Sequence, residues 1–409
     1  MHAPAIGNAE QMRQADHGLL ASALGDARSR LLRWADVYAA GLGADMPVPY
    51  SIELNPPLWE LGHIAWFEEY WLARNPQRLR GAAADPAVAR AASLRAQADA
   101  CYDSSHVAHK RRWHLDLPDI NRTREYLARV RERTLALLDG QPDGDAALYF
   151  FRLALLHEDM HTEAWAYMAQ HLGLACAEGF AAAPREAGVD GVLSVGAGAH
   201  RTGWTGAGFA FDNELQAHDI VLSAFTIDRA PVTWANFIAF VEAGGYDEPR
   251  WWTPEGRDWR RNASAGQPRY LRRNDAGGWE RAQYSQWLAL PLTQPAVNLT
   301  QHEAQAWCRW AGRRLPSEFE WEAAATRAAL HGEPFEWGEV WEWTASGFAP
   351  YPGFEPHPYR DYSMPWFDGR PVLKGASFAT APRMQHPRYR NYFPAERNDI
   401  FAGFRSCAL

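Results

Sequence analysis

The chain has 409 residues, which is enough for two or three domains with cores of their own. Its formal net charge of −8 excludes the basic surface that nucleic acid or an anionic membrane requires, so neither is an expected partner. No apolar run reaches the roughly 20 residues that cross a bilayer, and the start, "MHAPAIGNAEQMRQADHG", lacks a signal-peptide core. The widely spaced Cys101, Cys176, Cys308 and Cys407 indicate no disulfide scaffold. These features predict a cytoplasmic protein.

Four segments of the first half carry apolar residues at helical spacing. They are residues 19–42, 58–73, 119–140 and 146–172. Asp119 is the expected N-cap of the third segment, and Gly173 is the expected stop of the fourth. Four amphipathic helices of this length predict a helical bundle.

From about residue 185 onward, the chain changes to short elements separated by glycine, proline and tryptophan. The stretches "HDIVLSAFTID" and "RPVLKGASF" predict strands, and "TQHEAQAWCRWAG" and "SEFEWEAAA" begin with capping boxes that predict helices. We therefore predict an α+β protein with a bundle over residues 1–185 and a loop-rich domain over residues 186–409.

The segment "LLHEDMHTEAW" places His157 and His161 four residues apart, on one face of a helix. The apolar residues of that face predict that it points inward. The same letters match the H-E-x-x-H pattern of zinc proteases, in which Glu158 would be the general base. No further histidine motif follows at the spacing that such proteases use. A zinc hydrolase therefore stays open as a distant alternative.

A third histidine, His63, lies on the inward stripe of the second helix, with Trp59, Trp66 and Tyr70 at spacings of four, three and four. Three inward histidines on two helices of one bundle can converge on one metal ion. Neutral nitrogen ligands suit iron, copper, zinc and nickel alike, so these residues leave the metal open.

The twenty tryptophans of the chain have two interpretations. One is a heavily aromatic core. The other is an aromatic-lined pocket for a cation. A non-catalytic protein that binds a betaine or a sugar in such a pocket is a further open alternative.

Several stretches together give the sequence a family resemblance: "LGHIAWFEEYWL", "LLHEDMHTEAWAYM", "AQAWCRWAGRRLPSEFEWEAA", "VWEWTASGFAPYPGF" and "NDIFAGFRSCA". The chain resembles the non-haem iron sulfoxide synthases of ergothioneine biosynthesis. That family joins a DinB-like four-helix bundle to a C-terminal domain of the C-type-lectin and formylglycine-generating (sulfatase-modifying-factor) type. The resemblance implies Fe(II) held by His63, His157 and His161. It also implies an O2-dependent oxidoreductase that bonds a chalcogen to the imidazole of hercynine, the Nα-trimethyl betaine of histidine.

Three positions depart from the relatives that use γ-glutamylcysteine. Phe393 stands where those enzymes carry a carboxylate, which could pair with the ammonium group of the donor. Phe354 stands where they carry a proton-donating tyrosine, and Met160 where they carry glutamine. The resemblance is therefore greatest to the selenoneine synthase branch, which joins hercynine to a selenosugar. An ergothioneine-type synthase that uses another thiol donor is the alternative.

The resemblance also implies a set of substrate-contacting residues. Those expected to bind substrate are Asn391, Tyr392, Phe393, Arg397, Phe354 and Met160. Tyr392 and Tyr351 are the expected catalytic phenols, with Tyr359 as a further proton acceptor, and Arg388 and Arg390 are candidates for holding carboxylate or sugar oxygens.

Overall fold

The computed structural model describes residues 6–409. Residues 1–5, which begin the predicted first domain and the segment without a signal-peptide core, lie outside the described residues. Helices make up most of the first half, and they are α1 (Ala9–Arg13), α2 (His17–Leu42), α3 (Pro57–Trp71), α4 (Ala98–Tyr102), α5 (Ile120–Asp139) and α6 (Asp145–Leu172).

Helices α2, α3, α5 and α6 confirm the four predicted helices. Asp119 caps α5 as expected, because its side chain accepts a hydrogen bond from the backbone N–H of Arg122 at 2.9 Å. Gly173 ends α6 with a φ of 65°, a left-handed conformation that favours glycine. The four helices pack around one aromatic and aliphatic core.

A buried ionic network joins the four long helices. Glu158 of α6 accepts hydrogen bonds from Arg28 of α2 at 2.7 Å and from Arg131 of α5 at 2.5 Å. Glu68 of α3 bonds the same two arginines at 2.8 and 2.9 Å. All four side chains are buried. Since each charge depends on the others for compensation, the network fixes how the helices pack.

The second half is built from short strands and helices, and most of its buried apolar residues belong to the same core as those of the bundle. Its helices are α7 (Trp234–Glu242), α8 (Pro254–Asn262), α9 (Gln301–Trp310) and α10 (Glu318–His331). Its strands are β1 (Val192–Val195), β2 (Gly198–Thr202), β3 (His218–Leu222), β4 (Phe225–Asp228), β5 (Leu271–Arg273), β6 (Trp279–Gln283), β7 (Gln286–Ala289), β8 (Arg313–Arg314), β9 (Trp341–Gly347), β10 (Pro371–Gly375), β11 (Asn391–Tyr392), β12 (Ala402–Gly403) and β13 (Cys407–Ala408).

These strands form two four-stranded sheets, with orders β1-β4-β13-β8 and β11-β10-β9-β12, and two smaller sheets. Both capping boxes are present at the starts of α9 and α10, as predicted. The stretch "HDIVLSAFTID" is not one strand. It bends between Val221, which is exposed, and Phe225, which enters the core beneath α10, so β3 and β4 join different sheets.

The second half packs against the side of α6 that faces away from the arginine network. Arg383 donates two hydrogen bonds to Asp159 of α6 at 2.6 and 2.7 Å. The indole N–H of Trp341 in β9 donates to Glu163 of α6 at 2.8 Å. Helix α6 is therefore shared by both halves, and the proposed division at residue 185 stays a prediction. Within residues 6–409, no helix combines the length and apolar composition that crossing a membrane requires.

Replacing Glu158 with alanine should lower the free energy of unfolding by about 3–5 kcal/mol, because Arg28 and Arg131 would stay buried without their shared carboxylate. Urea denaturation followed by circular dichroism measures this change. The matched control is Glu125→Ala, an exposed position on α5 that should change stability by less than about 0.5 kcal/mol. Equal stability of the two variants would contradict a stabilising role for the network.

Candidate metal centre and adjoining cavity

Three histidines converge where α3 and α6 cross. His63 comes from α3, and His157 and His161 come from successive turns of α6. One ring nitrogen of each lies within 4.8 Å of the others. The imidazole centroids are 5.2 Å apart for His63 and His157, 5.0 Å for His63 and His161, and 4.5 Å for His157 and His161. The inward positions inferred from helical spacing therefore meet at one point.

Neighbouring groups fix the orientation of two of these rings. The backbone carbonyl of Tyr102 can only accept a hydrogen bond, so Nδ1 of His63 donates to it at 2.8 Å. The Nε2 atom of the neutral ring therefore carries a free lone pair. Nδ1 of His161 bonds the carboxylate of Glu60 at 2.5 Å. Nε2 of His157 is buried with no hydrogen-bond partner among the described residues. Imidazoles oriented from behind by carbonyls or carboxylates are typical of metal ligands.

Burial keeps two of the histidines, His63 and His157, neutral. Burial, followed by repulsion from His161, lowers the pKa of His63 to about 3. The same two causes hold the pKa of His157 well below its usual range. Burial alone would raise the pKa of Glu60, but attraction to His161 and the hydrogen bond between them outweigh it and lower that pKa to about 2. Neutral nitrogens backed by a carboxylate suit a divalent transition metal such as Fe(II), so the residues fit the implied ion.

Glu158, the glutamate of the H-E-x-x-H pattern, does not face the histidines. It is buried against Arg28 and Arg131 in the ionic network, so it is not available to activate a water molecule. The zinc protease interpretation therefore loses its general base.

A cavity of about 530 Å³ adjoins the histidines. His157, His161 and Met160 line it from α6, and Asn391 and Phe393 line it from the second half. The remaining lining residues are Ser104, Ser105, Arg112, Glu163, Ala164, Tyr167, Trp341, Tyr359, Asp361, Tyr362, Pro365, Trp366, Met384, Tyr389, Tyr392, Ile400 and Phe401. Both halves of the chain therefore enclose it.

Of the expected substrate-contacting residues, Met160, Asn391, Tyr392 and Phe393 line this cavity. The ring of Tyr392 stacks on Phe348 with centroids 4.0 Å apart. Its hydroxyl donates to the backbone carbonyl of Tyr362, so its proton is already engaged within the protein.

Three expected residues do not line the cavity. Tyr351 is buried under the guanidinium of Arg390, at 4.0 Å from the ring centroid. Phe354 packs on Phe367 with centroids 5.0 Å apart. Arg397 makes two hydrogen bonds of 2.6 Å to Asp399. The contacts of Tyr351 and Phe354 form only in the folded chain, whereas Asp399 lies two residues from Arg397 and could have indicated that ion pair.

The two other candidate arginines are also occupied. Arg390 makes two hydrogen bonds to the buried carboxylate of Glu318, at 2.7 and 3.0 Å. Arg388 donates to the backbone carbonyl of Gly203 and to the hydroxyl of Thr205. Neither lines the cavity, and both are held by partners within the protein.

Two important carboxylates were not predicted. Glu60 lies three residues before His63, and that helical spacing could have indicated a shared face. Glu163 accepts hydrogen bonds from Ser377 at 2.6 Å, Thr380 at 2.8 Å and Trp341 at 2.8 Å. No spacing rule could indicate Glu163, because its three partners come from distant parts of the chain.

Comparison with known proteins identifies both halves. Residues 23–174 match the DinB superfamily, and residues 178–339 match the sulfatase-modifying factor enzyme 1-like domain, which confirms the predicted fold class. The formylglycine-generating enzyme of Streptomyces coelicolor is 31% identical over 33% of this chain and 46% of its own.

Two further relatives align along nearly the whole sequence. The hercynine oxygenase of Mycolicibacterium thermoresistibile is 33% identical over 94% of both chains. The hercynine oxygenase of Mycobacterium tuberculosis is 31% identical over 94% of this chain and 97% of its own. On this identity, together with the two domain matches, the chain is an oxidoreductase that belongs to the hercynine oxygenase family.

Proposed function

We propose that this protein is a non-haem Fe(II) enzyme that uses O2 to bond the chalcogen of a second substrate to the imidazole of hercynine, and that the second substrate is a selenosugar. One observation carries the proposal: one ring nitrogen from each of three histidines lies within 4.8 Å of the others, beside a cavity that both halves of the chain enclose. The names of the two full-length relatives support hercynine as the first substrate.

His63, His157 and His161 would hold the iron, and Glu60 would orient His161 from behind. Iron bound there would supply the redox chemistry with O2 that protein side chains lack. Three protein ligands leave positions open for substrate and O2. His63 and His157 are buried, which keeps bulk water from that side of the site and protects it from side reactions.

Glu163 offers a place for the quaternary ammonium of hercynine. This group has no proton to donate, so a carboxylate and aromatic faces must hold it. Glu163 lines the cavity together with Trp341, Tyr389 and Phe401. Its bonds to Trp341, Ser377 and Thr380 hold the carboxylate rigidly, which reduces the entropy lost when a cation binds.

Two of the residues that line the cavity, Phe393 and Arg112, favour a chalcogen donor that is not an amino acid. Phe393 cannot pair with an ammonium group, and the one cavity-lining guanidinium of the described residues, Arg112, stacks on Trp59 at 3.9 Å from the ring centroid. Asp361 and Ser105 line the cavity and can exchange hydrogen bonds with sugar hydroxyls. A thiol donor that gives a carbon–sulfur bond is the second candidate, because the relatives belong to ergothioneine-type chemistry.

Anaerobic reconstitution should load about one Fe(II) per chain. His63→Ala should retain less than about 0.1 equivalent, because two histidines on one helix cannot complete the site. Glu60→Gln should bind iron about 10–100-fold more weakly, because it loses the charge that orients His161. Metal analysis and competitive chelator titration measure both effects.

The control for iron binding is Glu178→Gln, which changes an exposed carboxylate downstream of the histidine pair. It should bind iron as the parent does. In a zinc centre of the H-E-x-x-H type, a carboxylate downstream of the two histidines, here Glu178, would be the third ligand. Tight zinc binding by His63→Ala, together with its loss in Glu178→Gln, would therefore indicate such a centre and contradict the iron proposal.

The donor is identified by giving the Fe(II) protein hercynine and O2 with 1-seleno-glucose, 1-thio-glucose, cysteine or γ-glutamylcysteine. We expect the fastest product formation with the selenosugar, detected by product mass. Phe393→Asp should improve the use of γ-glutamylcysteine by about tenfold, the effect of one charge-assisted hydrogen bond. If γ-glutamylcysteine is already the best donor of the parent, the interpretation of Phe393 is wrong.

A further inference from the structure

Two cavity-lining phenols form a hydrogen-bonded chain that ends beside the histidines. The hydroxyl of Tyr362 donates to the hydroxyl of Tyr389 at 3.1 Å. The hydroxyl of Tyr389 donates in turn to the thioether sulfur of Met160 at 3.5 Å. A thioether is a weak acceptor, so a polar substrate atom would readily take over this hydrogen bond.

The position of this chain links it to the reacting groups. Met160 directly precedes His161, and Met160, His161, Tyr362 and Tyr389 all line the same cavity. The phenol of Tyr389 is otherwise fixed by packing, with its ring centroid 5.6 Å from that of Trp341. Burial raises the pKa of Tyr389, so the phenol keeps its proton at neutral pH.

The other phenols of the region are less suited to donate a proton. The proton of Tyr392 is engaged by a backbone carbonyl, and Tyr351 lies outside the cavity. Tyr359 and Tyr167 line the cavity, but no hydrogen bond within residues 6–409 fixes their hydroxyls. Tyr389 alone among these five has its oxygen held from one side and its proton directed into the cavity.

We propose that Tyr389 is the proton donor of the reaction and that Tyr362 is the residue that positions it. This inference rests on the proposed function. The Tyr389 O–H bond breaks, and its proton and the proton released from the chalcogen donor convert one oxygen atom of O2 to water. The chalcogen takes the other oxygen atom, and the chalcogen donor and the imidazole supply the electrons that reduce O2. When the chalcogen bonds to the imidazole carbon, the C–H bond of that carbon breaks and its proton returns to the phenolate. Tyr389 therefore ends each turnover protonated.

The test compares Tyr389→Phe and Tyr362→Phe with the parent. Tyr389→Phe should lower kcat about 100-fold, the usual contribution of a positioned acid, with KM for hercynine within about twofold. It should also remove the slowing that the parent shows in D2O. Tyr362→Phe should lower kcat less and keep part of that isotope effect. Calorimetry of the anaerobic Fe(II) proteins with hercynine provides a readout that does not depend on turnover.

The matched control is Tyr284→Phe, which removes a buried phenol outside the cavity and should behave as the parent does. Parent-like kcat and isotope effect in Tyr389→Phe would overturn the proposal. So would a loss of hercynine affinity that accounts for the whole effect, because Tyr389 would then be a binding residue. A parent that forms no product with any donor would instead overturn the proposed function, and this inference with it.

Discussion

Helix α6 carries polar side chains on three sides, and each side needs partners from a different part of the chain. The packing of the rest of the structure depends on this constraint. His157 and His161 face α3, Glu158 faces the arginines of α2 and α5, and Asp159 and Glu163 face the second half of the chain. An unpaired charge at any of these positions would cost several kcal/mol. Both the bundle and the second domain are therefore needed to bury this helix.

The same arrangement separates charge from the metal centre. The carboxylate of Glu158 pairs with Arg28 and Arg131 on another side of the helix, so its charge does not face the histidines. Glu60 adds a single negative charge behind His161. On the proposed function, the cavity would combine a ligand set open to substrate and O2 with a carboxylate, Glu163, that could hold a cation.

Helical periodicity predicted the bundle and the convergence of His63, His157 and His161, because spacing along a helix fixes which side chains share a face. The same rule does not apply to Arg397 and Tyr351, which lie outside the helices, and the contact of Tyr351 with Arg390 forms only in the folded chain. Glu163 lies on α6, but its partners Trp341, Ser377 and Thr380 come from the other half of the chain, and Tyr389 lies in a loop, so helical spacing indicated neither residue. Residue spacing along the sequence therefore predicts helices well, whereas the structure of the loop-rich half depends on contacts between segments far apart in sequence.

The central claim is that one iron ion is held by three imidazoles between the two halves of the chain. X-ray absorption at the iron edge of the anaerobically loaded protein tests it most directly. Our account predicts a shell of nitrogen and oxygen ligands with the multiple scattering of three imidazoles, which His63→Ala would remove. A spectrum with fewer than three imidazoles, or with a cysteine sulfur bound in the absence of substrate, would contradict it.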